Sequence, residues 1–457
     1  MKIKWSESER MNMKVSMSES EGAVVSATTM QASAMQRGSR DWIARSIWTE
    51  RMLAALDNGV KGNKWFSLMD KVARGDTLQL AWQKVVKNKG AAGVDRQSVE
   101  KFAARAEVYL AELELSLTEG RYQPMAVKRV EIPKGAGQTR PLGIPAVKDR
   151  IVQSALKLVI EPIFEHEFHD TSHGFRPGRS CQSALREVDR LLKAGHVHVV
   201  DADLKGYFDS IPHEPLMQQV EARISDGRVL ELIWQYLKQD IVKGAEKWTP
   251  TGGTPQGAVI SPLLANIYLH PLDVKMHEKG YRMVRYADDF VVLCESAEKA
   301  QAALRDIADW VQTAGLTLHP DKTHVGNCQE RGQGFEFLGY RFEAGQRWVR
   351  QKSLKALKDK LRSHTKRTQG ESLVSIIAKL NPILKGWFGY FKHAHRYEFA
   401  RLDGFLRRRL RALLRKQQKH PGRGHCLADH QRWPNEFFAQ HALFTLNTAW
   451  ATASQSR

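Results

Sequence analysis

The segment Met283-Val-Arg-Tyr-Ala-Asp-Asp-Phe-Val-Val-Leu293 places two adjacent carboxylates between two apolar, largely β-branched runs. Such runs predict two short buried strands, so Tyr286-Ala287-Asp288-Asp289 is expected at the turn of a β-hairpin. Two neighbouring acids in apolar surroundings repel each other and resist desolvation unless a cation neutralises them. A pair of oxygen-ligated divalent ions would do so. From this segment alone, a solvated turn that only ends a hairpin is an equal alternative.

A second acidic strand lies upstream. A run of valines precedes Asp201-Ala-Asp203, and the alternation of side chains along a strand places Asp201 and Asp203 on one face. Asp209 is expected to cap the following helix rather than to bind a metal ion. If a βαββ arrangement brings Asp203 beside Asp288 and Asp289, the three acids can share one pair of metal ions.

The charge of the chain indicates a polyanionic partner. The 457 residues have a formal net charge of +20, as is typical of proteins that bind nucleic acid. The excess is concentrated between residues 347 and 423, a segment that contains 22 Lys and Arg residues but only four Asp and Glu residues. Generic solubility would intersperse the two signs, so this segment predicts a nucleic-acid-binding surface.

Cysteine usage and hydropathy bound the location. Four scattered cysteines fit neither a disulfide framework nor a paired-cysteine zinc site, which agrees with a reducing cytoplasm. The sequence contains no apolar run of membrane-spanning length and no signal-peptide layout, so no membrane partner is expected.

Local patterns outline the remaining elements. Helices are predicted over residues 42–56, 77–87, 97–117, 148–168, 180–194, 214–238 and 297–314. A short strand with a turn is predicted over 316–323, and a second strand pair over 335–342. Residues 126–144 predict a hairpin whose Lys134 and Arg140 could clamp a triphosphate, although a solvated hairpin is the better interpretation without context. The loop that contains Arg176 and Arg179 could contact phosphate. Small residues in 251–262 would let the backbone approach a ligand closely.

Taken together, the motifs resemble a known family. Asp203, the loop Gly253-Thr-Pro-Gln-Gly257 and Tyr286-Ala-Asp-Asp289 resemble the palm motifs of reverse transcriptases. The fuller set, which runs in order from about residue 60 to about residue 450, is similar to that of bacterial group II intron reverse transcriptase/maturases. It comprises Asn88-Lys-Gly-Ala-Ala-Gly-Val-Asp95, Ile132-Pro-Lys134, Arg140-Pro-Leu-Gly-Ile-Pro145, His173-Gly-Phe-Arg-Pro-Gly178, His319-Pro-Asp-Lys-Thr323, Phe337-Leu-Gly-Tyr340, Leu380-Asn-Pro382 and Gly386-Trp-Phe-Gly-Tyr-Phe391.

The resemblance implies an α+β fold: a right-hand polymerase whose fingers and palm contain an antiparallel sheet with helices, followed by an α-helical thumb/maturase domain. The predicted domains are a disordered extension over 1–40, a helical RNA-binding extension of the fingers over 41–120, fingers and palm over 121–345, a basic helical thumb/maturase domain over 346–425, and a C-terminal helical tail over 426–457. The Cys-pair pattern of an appended endonuclease is missing from the sequence, so second-strand cleavage is not expected.

The resemblance also implies residue roles. The matching catalytic acids, which would bind two Mg²⁺ ions together with the carbonyl of Leu204, are Asp203, Asp288 and Asp289. The positions matching dNTP-binding residues are Lys134, Arg140, Phe208, Gln256 and Lys322. Phe208 would act as the gate that excludes a 2′-hydroxyl, and Lys322 would protonate the leaving pyrophosphate. Primer and template contacts are expected from Tyr286, Gly257 and Gly339. RNA contacts are expected from Arg176, Arg179, Lys385, Trp387, Arg407, Arg408, Arg409 and Arg411.

The implied function is a group II intron-encoded RNA-directed DNA polymerase. It would bind its intron RNA, assist splicing as a maturase and copy the RNA into DNA for retrohoming, as a nucleoid-associated ribonucleoprotein in the bacterial cytoplasm. Its expected partners are group II intron RNA, a DNA target and primer, and dNTPs, while the oligomeric state stays open. The alternatives are an RNA-binding splicing cofactor with unused polymerase activity and a host-adopted reverse transcriptase in repair or phage defence. An RNA-dependent RNA polymerase fits less well, because Phe208 occupies the gate.

Overall fold

Two compact units make up this computed structural model, which describes residues 40–135, 138–368, 370–422, 424 and 426–455. The disordered extension predicted over residues 1–40 lies outside the described residues except for Arg40. None of the described helices is both long and apolar enough to cross a membrane. All four cysteines are free thiols.

The first unit ends at Gly59, and its described part contains one helix, α1, Glu50–Asn58. The predicted helix over 42–56 is wrong in its first turns, because the residues before Thr49 form turns instead. The Thr49 hydroxyl accepts a hydrogen bond from the Met52 amide at 3.3 Å, which caps the helix at this point.

The second unit starts with helices that surround a buried central one. The segment predicted as a single helix over 97–117 is two helices, because the backbone at Arg105 leaves the helical region (φ −139°). The long helix α6 is buried on most of its surface. In order, these helices are α2 Met69–Ala73, α3 Gly75–Asn88, α4 Val99–Ala103, α5 Ala106–Thr118 and α6 Val147–Glu165.

A four-stranded sheet, the fingers sheet, contains the predicted hairpin. Its strand order is β2-β1-β4-β5, with β1 and β2 antiparallel. Arg140 on β2 lies opposite Ile132 on β1. The hairpin predicted over residues 126–144 is therefore confirmed. The strands are β1 Val127–Gly135, β2 Gln138–Ile144, β4 Ile241–Lys243 and β5 Glu246–Trp248.

A second four-stranded sheet, the palm sheet, contains both acidic segments and is antiparallel, with the order β6-β7-β3-β8. The strands are β3 His198–Asp203, β6 Arg282–Tyr286, β7 Asp289–Cys294 and β8 His324–Asn327. Its neighbouring helices are α7 Cys181–Lys193, α8 Tyr207–Ser210, α9 His213–Glu221, α10 Gly227–Leu237, α11 Ser261–Glu278 and α12 Ala297–Thr313.

Two expectations for the palm region were wrong. The segment 214–238 is two helices rather than one, because the Asp226 carboxylate caps the second by accepting from the Arg228 and Val229 amides at 3.1 and 3.2 Å. The strand expected over 316–323 begins only at His324. Leu318 contributes a single antiparallel bridge to Leu204.

A three-stranded sheet links the palm to the C-terminal helices. Its order is β11-β10-β9, with β9 Phe335–Phe337, β10 Tyr340–Glu343 and β11 Gln346–Val349. The thumb helices that follow are α13 Gln351–His364, α14 Leu373–Phe391, α15 Tyr397–Gln417, α16 Leu427–Arg432, α17 Asn435–Gln440 and α18 Leu446–Gln455. One hydrophobic cluster runs from palm strands to thumb helices, so the two regions fold onto a shared core. The predicted α+β class is confirmed.

Candidate active site

The palm sheet brings the three predicted acids to one end. Asp203, the last residue of β3, is paired directly with Asp289, the first residue of β7, and Asp289 is paired with Tyr286 across the hairpin. Directly opposed residues of antiparallel strands place their Cβ atoms about 4.5–5.5 Å apart on one face. Ala287 and Asp288 form the two-residue turn between the strands, and the φ of Ala287 is +59°. The strand register therefore brings Asp203 beside Asp289, and the turn places Asp288 next to them in the chain.

The electrostatics at this end of the sheet are unfavourable without a cation. Burial, reinforced by the charges of Asp201, Asp288 and Asp203, raises the pKa of Asp289 to about 7. Burial also raises the pKa of Asp288, with a further contribution from Asp203, and raises that of Asp201 to about 6. Because the pKa values of these carboxyl groups are higher in the folded than in the unfolded chain, the groups stabilise the metal-free fold at a pH below about 4, the pKa of an unfolded aspartate. This stability is lost as the pH rises through their pKa values in the folded protein.

The acids fit a divalent cation by charge and ligand type, since carboxylate oxygens are what Mg²⁺ prefers. Among the described residues, no three His, Cys, Asp or Glu side chains are already gathered into a metal-binding group. Asp203 instead forms an ion pair with the ammonium group of Lys322, which neutralises it as a bound cation would. Leu204, the residue after Asp203, forms an isolated bridge with Leu318. The two hydrogen bonds of this bridge are made by the Asp203 carbonyl (2.7 Å) and the Lys205 amide (2.8 Å), so the Leu204 carbonyl takes no part in them.

The buried guanidinium of Arg285 is hydrogen-bonded to the acidic turn. Arg285 is fully buried and forms a two-pronged ion pair with the fully buried Asp273, with Nε 2.8 Å from Oδ1. A further guanidinium nitrogen donates to the Asn266 side chain (2.9 Å) and to the Ala287 carbonyl (3.0 Å), one residue before Asp288. The sequence interpretation did not include these residues. The only sequence feature that pointed to this role is that Arg285 lies between apolar residues of a predicted buried strand.

The loop after Thr171 supports the same hairpin from its outer edge. The Arg285 amide donates to the Thr171 carbonyl and the His173 amide donates to the Arg285 carbonyl, both at 2.8 Å. Gly174 lies against the turn so closely that a Cβ there would stand 2.3 Å from the Ala287 nitrogen. A side chain at residue 174 would therefore displace the acidic turn.

Arg176 does not have the RNA-binding role that was expected of it. Its guanidinium is buried and donates to both oxygens of Glu165 (2.8–2.9 Å) and to the carbonyls of His169 (2.6 Å) and Ser172 (2.8 Å). These acceptors occupy its donors, so it holds the loop in shape. Arg179 donates to the Asp170 carbonyl at 2.9 Å and forms an ion pair with its carboxylate.

The glycine-rich loop packs against α8 and the fingers hairpin. The Thr254 amide donates to the Phe208 carbonyl at 2.6 Å, and the Gln256 carbonyl accepts from the Gly143 amide of β2 at 2.6 Å. Gly253 has φ +84°, and a Cβ there would lie 2.8 Å from the Asp209 backbone, so only glycine permits this approach. Phe208 is half-buried where this loop meets α8.

Asp209 does not cap a helix, contrary to expectation. It lies within α8, and its carboxylate accepts from the Gln256 side chain at 3.2 Å, whereas the next helix begins after Pro212. Arg140 is exposed on β2. The side chain of Lys134 lies outside the described part of the chain.

The residues expected to contact primer and template lie in three different segments. Tyr286 is half-buried at the end of β6, and its hydrogen bond with the Cys181 thiol, together with burial, raises the pKa of Tyr286 to about 12. Gly339 lies in the turn between β9 and β10, where its carbonyl accepts from the Arg350 amide at 2.9 Å. Gly257 is exposed at the end of the glycine-rich loop.

Only part of the expected RNA-binding set is available to solvent. Arg411 is buried and donates to the Trp433 carbonyl at 2.8 Å, so the expectation for this residue is corrected. Trp387 is half-buried, and its ring packs against Phe391 and Phe399 at the side of the core. Arg409 donates to the Thr365 hydroxyl at 2.6 Å and is half-buried. Lys385 and Arg408 are exposed and Arg407 is half-buried, and the cations of Lys385 and Arg408 also lie over the rings of Phe444 and Phe405.

Comparison with protein families agrees with this geometry. Residues 132–342 match the family described as reverse transcriptase (RNA-dependent DNA polymerase), and residues 354–433 match the group II intron, maturase-specific domain. The first match contains Asp203, Asp288 and Asp289. A reverse transcriptase domain depends on divalent metal ions, and a maturase domain binds RNA, so both properties apply to this chain at that level.

Two individual proteins are also similar to this chain in sequence. Protein YkfC of Escherichia coli K12 is 35% identical over 315 residues, which are 60% of this chain and 82% of YkfC. The group II intron-encoded protein LtrA of Lactococcus lactis subsp. cremoris is 39% identical over 203 residues, which are 44% of this chain but only 33% of LtrA. A solved Candida albicans telomerase, in complex with a fragment of telomeric RNA, shares 13% identity and a TM-score of 0.41 over 75% of this chain and 67% of its own, a likeness too loose to support an argument. From its two domains and its relatives, the chain belongs to the group II intron reverse transcriptase/maturase family of RNA-directed DNA polymerases.

Proposed function

We propose that the chain uses Asp203, Asp288 and Asp289 to hold two Mg²⁺ ions and extends a DNA primer on its intron RNA. The observation that supports this most is the register of the palm sheet, which pairs Asp203 directly with Asp289. Two bound ions would lower the pKa of the primer 3′-hydroxyl and neutralise the charge that develops on the leaving group.

The reaction is a nucleotidyl transfer. The primer 3′-oxygen forms a bond to the α-phosphorus of the dNTP, the bond between that phosphorus and the bridging oxygen of the β-phosphate breaks, and pyrophosphate leaves. The 3′-hydroxyl proton passes to solvent. The Lys322 ammonium would donate a proton to the pyrophosphate, and its ion pair with Asp203 in the free protein supports this role.

Nucleotide selection belongs to the region where α8, the glycine-rich loop and the fingers hairpin meet. Lys134 and Arg140 contact the triphosphate, Phe208 packs against the sugar, and the Gln256 side chain, held by Asp209, lies near the new base pair. Tyr286, Gly257 and Gly339 contact the primer and template. The exposed cations of the thumb helices bind the intron RNA.

The wider role is that of an intron-encoded protein. The maturase-specific domain and the similarity to a group II intron-encoded protein support binding of the parent intron RNA, assistance in its splicing, and copying of that RNA into DNA at a new site. The bacterial nucleoid, where target DNA is found, is the proposed location.

A primer-extension assay with a Phe208 variant tests this proposal. Wild-type protein should extend a DNA primer on an RNA template with Mg²⁺ and dNTPs while rejecting ribonucleotides. Phe208→Ala should accept ribonucleotides about a hundredfold better, because the ring that clashes with the 2′-hydroxyl is removed. Phe208→Tyr keeps a ring of the same width and should retain the discrimination. Unchanged discrimination in the alanine variant would contradict the gate, and no extension by wild-type protein would contradict the proposed polymerase activity.

Neutralising the exposed thumb arginines should weaken RNA binding in a salt-dependent way. Arg407→Gln with Arg408→Gln should reduce the slope of log affinity against log salt by about 1.4, since each lost contact to single-stranded RNA accounts for about 0.7. Filter binding between 50 and 200 mM salt, a range over which such contacts are strongly salt-dependent, measures this slope.

The matched control replaces Arg305 and Arg331, two exposed palm arginines, by glutamine. It removes the same charge elsewhere and should leave the slope unchanged. Equal slopes for the thumb variant and wild type would show that RNA does not contact Arg407 and Arg408.

A further inference from the structure

Phe175 is an exposed aromatic residue beside the β6–β7 hairpin that contains Asp288 and Asp289. Its side chain remains 48% exposed, and its ring centroid lies 6.4 Å from that of Tyr286. Its backbone φ is +58°, in the left-handed region that bulky residues rarely adopt. An exposed ring gains little from burial, and a left-handed phenylalanine is locally disfavoured. Neither core packing nor backbone preference therefore accounts for a phenylalanine at this position.

The residues on both sides of Phe175 impose this conformation. The Gly174 carbonyl accepts from the Asn266 side chain at 2.8 Å, and Gly174 itself packs against the acidic turn. On the other side, the Arg176 guanidinium is held by Glu165. Strained residues that their surroundings hold in place are found preferentially at functional sites. The backbone of Phe175 is thus held in place, with the ring next to the hairpin that contains Asp288.

We propose that Phe175 is a nucleic-acid contact: its ring packs against the terminal base pair of an RNA–DNA hybrid, beside the primer end that Tyr286 faces. The hybrid as occupant rests on the proposed function. Aromatic rings are suited to this contact because they stack on sugars and bases of any sequence. Because the backbone of Phe175 is already held in place, binding needs no ordering of this loop, which favours affinity.

Equilibrium binding to a labelled RNA–DNA hybrid with a recessed primer 3′ end tests this contact without nucleotides and hence without synthesis. Phe175→Asn removes the ring but suits a left-handed backbone. It should bind the hybrid about tenfold more weakly, within the range for one lost stacking contact. Its affinity for single-stranded RNA should be unchanged, and its thermal midpoint should equal or exceed that of wild type. Phe175→Tyr should bind the hybrid like wild type.

Phe66→Asn is the matched control, because Phe66 is 65% exposed and lies in another part of the same unit. It should leave hybrid affinity unchanged. Wild-type affinity in Phe175→Asn would overturn the inference. A variant that loses affinity and thermal stability together would also overturn it, because the ring would then be structural. Wild-type protein that binds the hybrid but extends no primer contradicts the proposed polymerase activity alone, since the contact is measured by binding.

Discussion

Replacing Asp288 and Asp289 together by alanine should reduce primer extension at least about a thousandfold, because several kcal/mol of charge stabilisation in the transition state disappear with the metal ligands. RNA affinity should stay within about twofold of wild type, because the proposed RNA-binding cations lie on the thumb helices, away from these acids. In metal-free buffer at pH 8 the variant should also unfold at a higher temperature than wild type. The reason is that burial and mutual repulsion raise the pKa values of both acids, so their ionised forms destabilise the fold at this pH.

The control for this variant removes two carboxylates from the region that follows the other end of β7. Glu295→Ala with Glu298→Ala changes the net charge equally at two exposed positions and should retain synthesis. Single-turnover extension with saturating dNTPs compares the rates, and differential scanning calorimetry in EDTA compares the thermal midpoints. Synthesis that persists in the Asp288 and Asp289 variant would show that the chemistry takes place elsewhere in the chain.

Replacing Arg285 by methionine should be the most destabilising single change in the palm. It leaves the fully buried Asp273 without a partner, and breaking a buried ion pair from one side costs about 3–5 kcal/mol. The Ala287 carbonyl also loses its donor, so the turn before Asp288 loses its support and synthesis should fall even in molecules that remain folded. Urea unfolding followed by circular dichroism, together with extension rates at low temperature, measures both effects.

Two comparisons separate this anchor from a general sensitivity to substitution. Arg282→Met removes an exposed arginine from the same strand and should change stability by less than about 0.5 kcal/mol. Combining Arg285→Met with Asp273→Leu removes both charges and should recover much of the stability, because a buried pair can be replaced by apolar residues at little cost. If Arg285→Met unfolds at the same urea concentration as wild type, the buried pair does not support the hairpin.

The acidic site was predictable from the sequence because it depends on local patterns. Alternation fixes the face of Asp203, and the apolar runs on both sides of Asp288 and Asp289 specify a hairpin. The pairing of β3 with β7 is a long-range contact that these patterns only permit. The resemblance of ordered motifs to reverse transcriptases supplied that pairing before the structure did.

What the sequence could not indicate was how charged side chains are used. Arg176, Arg285 and Arg411 look alike in the sequence, yet all three are buried donors to carboxylates or carbonyls. An arginine is suited equally to a phosphate on the surface and to a carbonyl inside, and the choice depends on residues distant in sequence.

Counting metal ions tests the central claim most directly. Mn²⁺, which can replace Mg²⁺ at oxygen-ligand sites, can be titrated into the protein with bound primer, template and a non-hydrolysable dNTP, and followed by electron paramagnetic resonance. Wild-type protein should bind two ions per chain, and Asp203→Asn should bind them at least about tenfold more weakly, because a shared charged ligand is lost. Two ions bound with wild-type affinity by Asp203→Asn would contradict a site in which Asp203 joins Asp288 and Asp289.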